Sequence, residues 1–193
     1  MRLAIISVWI WATVGIYARP IQIAEVGSKV DNFQLVDVDG NSRSLQSYSG
    51  KIVVLVFWSF KCPVSLEYRD RMEELQDKYG GRGVSVLGVS SGSNEAAAEI
   101  RANISNLQIK TPVLLDTEGI LAEKLGATHT PSVFILDGSS ILRYKGSIDN
   151  NKKPGDKARI AYADNAIDAI LAGQSVAVPE TRAFGCSIKR KAL

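Results

Sequence analysis

Phe57-Trp58-Ser59-Phe60-Lys61-Cys62-Pro63-Val64-Ser65 is the stretch on which the reading of this chain turns. It closes an apolar run, Ile52 to Trp58, and opens a charged segment whose apolar residues recur at helical spacing. Continuous rather than alternating apolarity, rich in Val and Ile, predicts a strand covered on both faces. Pro63 suits the first position of a helix, where its missing N–H would be unpaired in any case. Val64, Tyr68, Met72, Leu75 and Tyr79 then form one stripe along that helix. Glu67 with Arg71 and Glu74 with Lys78 are expected as ion pairs on its outer side, and Gly80-Gly81 as its stop. Cys62 therefore falls at the seam between strand and helix. A helix N-terminus carries partial positive charge and unpaired N–H groups, which stabilise a thiolate. An ordinary cysteine, with pKa about 8.5, is only roughly 3% thiolate at pH 7, so a lowered pKa separates a reactive thiol from one that only packs. Position alone leaves both readings open, because cysteine is also among the most buried residue types.

Outward from this seam, strands and helices alternate. Val30 to Val38, a turn at Asp39-Gly40 and Asn41 to Leu45 predict a small N-terminal hairpin. Val84 to Val89 reads as a second apolar strand, followed by a loop, Ser90 to Asn94, able to cap a helix through Ile100, Ile104 and Leu107. Thr111 to Leu115 reads as a short strand and Glu118 to Leu125 as a short helix closed by Gly126. Ser132 to Leu136, a turn at Asp137-Gly138 and Ile141 to Tyr144 predict a second hairpin. Asn150 to Asp156 is polar and is expected as a mobile loop, and Ala158 to Leu171 as a last helix ended by Gly173. The order predicts an α/β three-layer sandwich with a mixed central sheet and an added N-terminal hairpin.

Of 193 residues, 46% are hydrophobic and 22% charged, which suits one domain whose core needs no staples. A formal net charge of +3, with acidic and basic residues interspersed, argues against a nucleic-acid partner. Residues 1–18 differ from the remainder: Met1-Arg2, an apolar run from Leu3 to Ile16, then the small residue Ala18. The run is shorter than the roughly twenty residues that span a bilayer, so no stable membrane span is expected. It reads as a signal peptide, with an uncleaved anchor as the alternative. Residues 19–25 are then a linker, 26–173 the domain, and 174–193 a tail carrying Cys186. Export, periplasmic or otherwise extracytoplasmic, would put Cys62 and Cys186 in a disulfide-permissive compartment, where a thiol enzyme needs an outside electron donor.

Three separated motifs resemble the thioredoxin-fold redoxins of the alkyl hydroperoxide reductase and thiol-specific antioxidant type. They are V-G-S-K-V-D-N-F at 26–33, F-W-S-F-K-C-P-V-S at 57–65 and T-H-T-P-S-V-F-I-L-D at 128–137. The closing stretch P-E-T-R-A-F-G-C-S-I-K, 179–189, is similar to the tail of a peroxiredoxin-like branch. The resemblance implies a thioredoxin-like sandwich, Cys62 as nucleophile ahead of Pro63, and Thr130-Pro131 as a cis-proline turn facing it. Such a turn leaves neighbouring backbone groups free to pair with an extended substrate chain beside the thiol.

The sequence departs from the family pattern in two places. Thioredoxin-like reductases carry a second cysteine three residues after the first; Ser65 stands there, able to hydrogen-bond a thiolate but not to resolve a mixed disulfide. Peroxiredoxins carry a proline and a threonine seven and three residues before the reactive cysteine; here these are Leu55 and Ser59, and only Ser59 keeps the hydroxyl. Cys186 is the candidate resolving thiol, with a structural bridge and an independent thiol as alternatives. His129, the only histidine, is a candidate proton donor or metal ligand beside Cys62, or a plain surface residue. Lys61 is expected to favour the thiolate by its adjacent positive charge. No cofactor and no metal is expected. Two functions follow. One is an exported oxidoreductase in which Cys62 attacks a peroxide or a protein disulfide and Cys186 or an external thiol reductant, thioredoxin-like, releases the product. The other is a non-catalytic module that holds partners along the cis-proline edge.

Overall fold

The structure, a computed structural model, describes residues 22–150 and 159–190. The expected leader at 1–18 and most of the loop expected at 150–156 lie outside the described residues. In chain order the elements are β1 (Gln34–Asp37), β2 (Ser42–Ser44), β3 (Ile52–Phe57), α1 (Pro63–Glu67), α2 (Arg69–Tyr79), β4 (Val84–Ser90) and α3 (Ala97–Asn106). They continue with β5 (Val113–Leu115), α4 (Ile120–Leu125), β6 (His129–Thr130), β7 (Ser132–Leu136), β8 (Leu142–Gly146), α5 (Tyr162–Leu171) and β9 (Cys186–Ser187).

All six residues of β3 are buried, yet they serve two cores. Val54 and Val56, followed by Trp58, point into a cluster with Met72, Leu75 and Tyr79 of α2, Ile100 of α3 and Ile167 of α5. Val53, Leu55 and Phe57 point the other way, among Leu121 and Leu125 of α4, Phe134 and Leu136, and the N-terminal Val30 and Phe33. The uninterrupted apolar run is thus the period-2 alternation of a strand with a full hydrophobic layer on each side. Seven strands form the sheet in the order β2-β1-β5-β4-β3-β7-β8. β3 and β5 run parallel to β4, and the remaining pairs are antiparallel.

The two hairpin turns share one chemistry. Asp37 Oδ1 accepts the N–H groups of Asp39 (3.0 Å) and Asn41 (2.8 Å), and its other oxygen accepts Arg43 Nε (3.1 Å). Asp137 Oδ1 accepts Ser139 N–H (2.9 Å) and Ile141 N–H (3.0 Å), and Arg143 Nε donates to Oδ2 (2.7 Å). The carboxylate organising the first turn is therefore Asp37 rather than Asp39, while Gly40 takes the left-handed φ of 86° that the bend needs.

Several local expectations change. The helix after Cys62 breaks at Tyr68, which ends α1 and precedes α2 with φ −93° and ψ 2°. The buried Tyr68 hydroxyl donates to Asp149 Oδ1 at 2.8 Å, and the break turns the ring inward to reach it. Arg71 points inward instead of pairing with Glu67: its Nη1 lies 3.0 Å from the fully buried Asp149, which also accepts Arg159 Nε at 2.6 Å. Lys78 bypasses Glu74 for Asp164 on α5 at 2.7 Å. Ala96, with no side-chain cap, precedes α3 in place of a capping residue from 90–94. The last helix starts at Tyr162, and Ile160 is exposed.

Candidate active site

The sheet register brings the two ends of the site together. β3 and β7 are antiparallel with Phe57 opposite Ser132, so the chain leaving β3 and the chain entering β7 lie at the same end of the sheet. Cys62 follows the first and Pro131 precedes the second. The Thr130-Pro131 peptide is cis, and the Cys62 thiol donates to the Thr130 carbonyl at 3.2 Å. Cys62 caps α1: its sulfur accepts the Ser65 N–H at 3.5 Å, and Pro63 occupies the first turn. The residue is 1% exposed.

The segment before Cys62 is held by groups from two loops. Ser59 Oγ accepts the Lys61 N–H at 3.2 Å, and the Ser59 carbonyl accepts the Cys62 N–H at 3.2 Å. The buried carboxylate of Glu95, from the loop after β4, accepts the Phe60 N–H at 2.7 Å.

From α5 the chain returns across the molecule to this site. Pro179 to Thr181 run along β8: Lys145 N–H donates to Pro179 O (3.1 Å) and Thr181 N–H to Lys145 O (3.0 Å). The Phe184 ring meets Tyr68 edge-on at 5.8 Å. β9 then pairs antiparallel with β6, Cys186 opposite Thr130 and Ser187 opposite His129. Ile188 N–H donates to Thr128 O (2.9 Å), and Ser93 N–H donates to Lys189 O (2.7 Å). Both cysteines are free thiols, and they line one cavity of about 70 Å³ together with Ser59, Lys61 and Thr130. A larger cavity, about 760 Å³, opens at the far end of β3 beside Gly50 and Gly138 and is lined by no cysteine.

The model of the AhpC/TSA family matches residues 26–145, more than half of the chain. The chain belongs to the AhpC/TSA family. It is thereby an oxidoreductase of the thioredoxin-like kind. It is 28% identical over 124 residues to the thiol-disulfide oxidoreductase ResA of Bacillus thuringiensis subsp. konkukian, spanning 63% of this chain and 70% of that one. Among solved structures it resembles an uncharacterized conserved protein from Geobacillus kaustophilus, with TM-score 0.80 and 25% identity over 93% of this chain and 100% of that one. It also resembles the exposed lipoprotein thioredoxin of Streptococcus pneumoniae, with TM-score 0.59 and 27% identity over 74% of this chain and 99% of that one.

In this member of the AhpC/TSA family the two sulfurs are unequal. Burial of Cys62 works against ionisation, but the neighbouring Cys186 thiol, the Ser65 N–H and hydroxyl, and Thr130 outweigh it and lower the pKa. The Ser65 hydroxyl is buried and has no hydrogen-bond partner within bonding geometry among the described residues, and its influence on the nearby sulfur favours the thiolate. Cys186 is pushed up to about 11, first by burial and then by the hydrogen bond and charge of Cys62. The contact to Thr130 O belongs to the protonated form of Cys62, since a carbonyl cannot donate to a thiolate.

Two supporting residues take partners other than the sulfur. The Lys61 ammonium turns from the sulfur to the Asn94 carbonyl (2.6 Å) and Glu99 (3.0 Å), so its charge is engaged by α3 and its loop. The His129 ring bonds Thr128 Oγ1 at 2.9 Å, and its backbone is what borders the site. Among the described residues no group of three or more His, Cys, Asp or Glu gathers as a metal ion requires. Nothing local in the sequence marks the site contacts of Glu95, Tyr68 and Phe184: a carboxylate in a Ser/Gly/Asn loop and aromatics in a helix and a tail carry no signal of the partners they meet.

Proposed function

We propose that this protein is an exported thiol-disulfide oxidoreductase in which Cys62 is the nucleophile and Cys186 the resolving thiol. The observation that carries the reading is the pairing of Cys186 with Thr130, which lays a second thiol against Cys62 although Ser65 replaces the usual local one. The Cys62 thiolate attacks one sulfur of a substrate disulfide, forming a mixed disulfide and expelling the first substrate thiolate. Cys186, as thiolate, attacks Cys62 Sγ, forms the 62–186 disulfide and expels the second. The two protons of the protein thiols pass to the two leaving thiolates, so the substrate gains what the protein loses. An external thiol reductant returns the pair to dithiol.

The order of the two attacks follows from their electrostatics. Both the hydrogen bond and the charge of Cys62 raise the Cys186 pKa, and both vanish once Cys62 is covalently bound. Burial of Cys186 remains, but with these two causes gone it is a better nucleophile after Cys62 has reacted than before. A second reading, reduction of a hydroperoxide, is favoured by the small size of the cavity at the sulfurs. There Cys62 takes the terminal peroxide oxygen as a sulfenic acid, releasing an alcohol or water, and Cys186 condenses with it, releasing water. The apolar leader at 1–18 supports export, as does the likeness to an exposed lipoprotein thioredoxin. Among the described residues no helix is long and apolar enough to cross a membrane.

Alkylation followed by mass spectrometry, before and after one equivalent of a small disulfide or of hydrogen peroxide, tests the proposal. The expected product is an intramolecular 62–186 linkage, lost in C62S and C186S. If neither oxidant ever yields that linkage, the resolving role of Cys186 is wrong. The relative rates with the two oxidants separate the disulfide from the peroxide reading.

A further inference from the structure

The edge of β6 is already occupied. A cis-proline strand of two residues, His129 and Thr130, offers a short row of backbone groups, and β9 takes them in antiparallel register. Cys186 sits opposite Thr130, the residue whose carbonyl also receives the Cys62 thiol. This is the arrangement in which an extended, cysteine-bearing substrate would add as a strand beside the nucleophile. With β9 seated, Cys62 is 1% exposed and its cavity is about 70 Å³.

The sequence is built for this seat at one point above all. Gly185 has φ +135°, and a Cβ there would collide with the Thr130 carbonyl, so only glycine allows the tail to approach so closely. Upstream, Gly146 offers the same clearance to Thr181, whose hydroxyl bonds Tyr144 Oη (2.7 Å) and accepts Ser147 N–H (3.0 Å). The tail is thus locked firmly at Thr181 and laid over the thiol only beyond it. There its fastenings are the β6 pairing, the Phe184 contact, the packing of Ile188 on the core, the backbone bonds of Ile188 and Lys189, and Arg190 Nη2 donating to the Ala127 carbonyl (3.0 Å). Each hydrogen bond is worth on the order of 1 kcal/mol net, so the covering part is held reversibly.

We infer that residues 182–190 are a specificity-determining strand. Seated on β6, they reserve Cys62 for oxidants small enough to enter beside them, and an extended disulfide-bearing chain must displace β9 and take its place. The inference rests on the reading of Cys62 as nucleophile, and it holds whether or not Cys186 goes on to form a disulfide. Tail and extended substrate are competitors for one edge, so the apparent affinity for such a substrate falls by the fraction of time the edge is free.

The test uses C186S, which leaves Cys62 as the only thiol and keeps the β9 backbone. Its labelling by N-ethylmaleimide is compared with labelling by the same maleimide carried in the middle of an extended peptide, in C186S and in C186S/G185A. In C186S the peptide reagent should react slower than the small one by about tenfold or more, the effect of 1.4 kcal/mol of docking. G185A should remove that gap and leave the small reagent's rate within about twofold. A second variant, C186S ending at Thr181, keeps the β8 contact and should show the same opening if G185A perturbs folding. An equal gap in C186S and both opened variants, or no gap in C186S, overturns the inference. Failure of Cys62 to react with either reagent removes the nucleophile and the inference with it. A missing 62–186 linkage in the two-cysteine chain sinks only the resolving role of Cys186.

Discussion

At Cys62 the balance between burial and hydrogen bonding sets how much thiolate exists at neutral pH. The lowered pKa means that its alkylation rate should reach half its plateau at a lower pH than that of an ordinary cysteine, while Cys186 at about 11 is still protonated. Replacing Ser65 by Ala removes the hydroxyl that lowers the pKa and leaves the N–H in place. Labelling of Cys62 at pH 7 should slow roughly two- to tenfold, the equivalent of one net hydrogen bond. A pH profile in S65A identical to that of the parent would take the hydroxyl out of the site. At this scale the position of Cys62 at the start of α1 was legible, because proline after a strand-ending cysteine marks a helix start. Lys61 misled for a physical reason: adjacency along the chain says nothing of where a four-carbon side chain finds its partner, and Glu99 lies thirty-eight positions away.

The elements that frame the site depend on turn chemistry. Asp137 is held by Ile141 and Ser139 N–H groups and by Arg143, which together overcome burial and lower its pKa. Since the folded value lies below the unfolded value near 3.9, this carboxylate contributes stability above that pH and loses it as pH falls through the folded pKa. Asp137→Ala should cost about 1 to 3 kcal/mol in urea unfolding at pH 7, with the difference from the parent shrinking at the acid end. An undiminished difference at the acid end would show that the loss is not electrostatic. The sequence foretold both hairpins and β3, whose patterns are local. It did not foretell the break at Tyr68, since that break is set by Asp149, more than eighty positions away, and the helical stripe runs through it unaltered.

Across the whole molecule, one buried carboxylate ties the helix after Cys62 to the chain beyond β8. Asp149 is 0% exposed and accepts Tyr68, Arg71 and Arg159. Asp149→Ala would leave the Arg71 guanidinium buried without its counter-charge, at about 3 to 5 kcal/mol. For a chain of this length that corresponds to a fall of roughly 10 °C in Tm by calorimetry. A Tm within a degree or two of the parent would mean that the network is not holding the two segments together. No local pattern marks such a tie, because its members belong to segments that meet only in the folded chain. The tail was legible as far as its second cysteine and its glycine, whereas its course along β8 was not. That course has a consequence for solubility. β8 ends the seven-stranded sheet, and an uncovered terminal strand is a template for edge-to-edge aggregation. Pro179 to Thr181 sit on that edge, so the part of the tail that stays fastened shields the sheet from other copies while the part beyond it is free to lift.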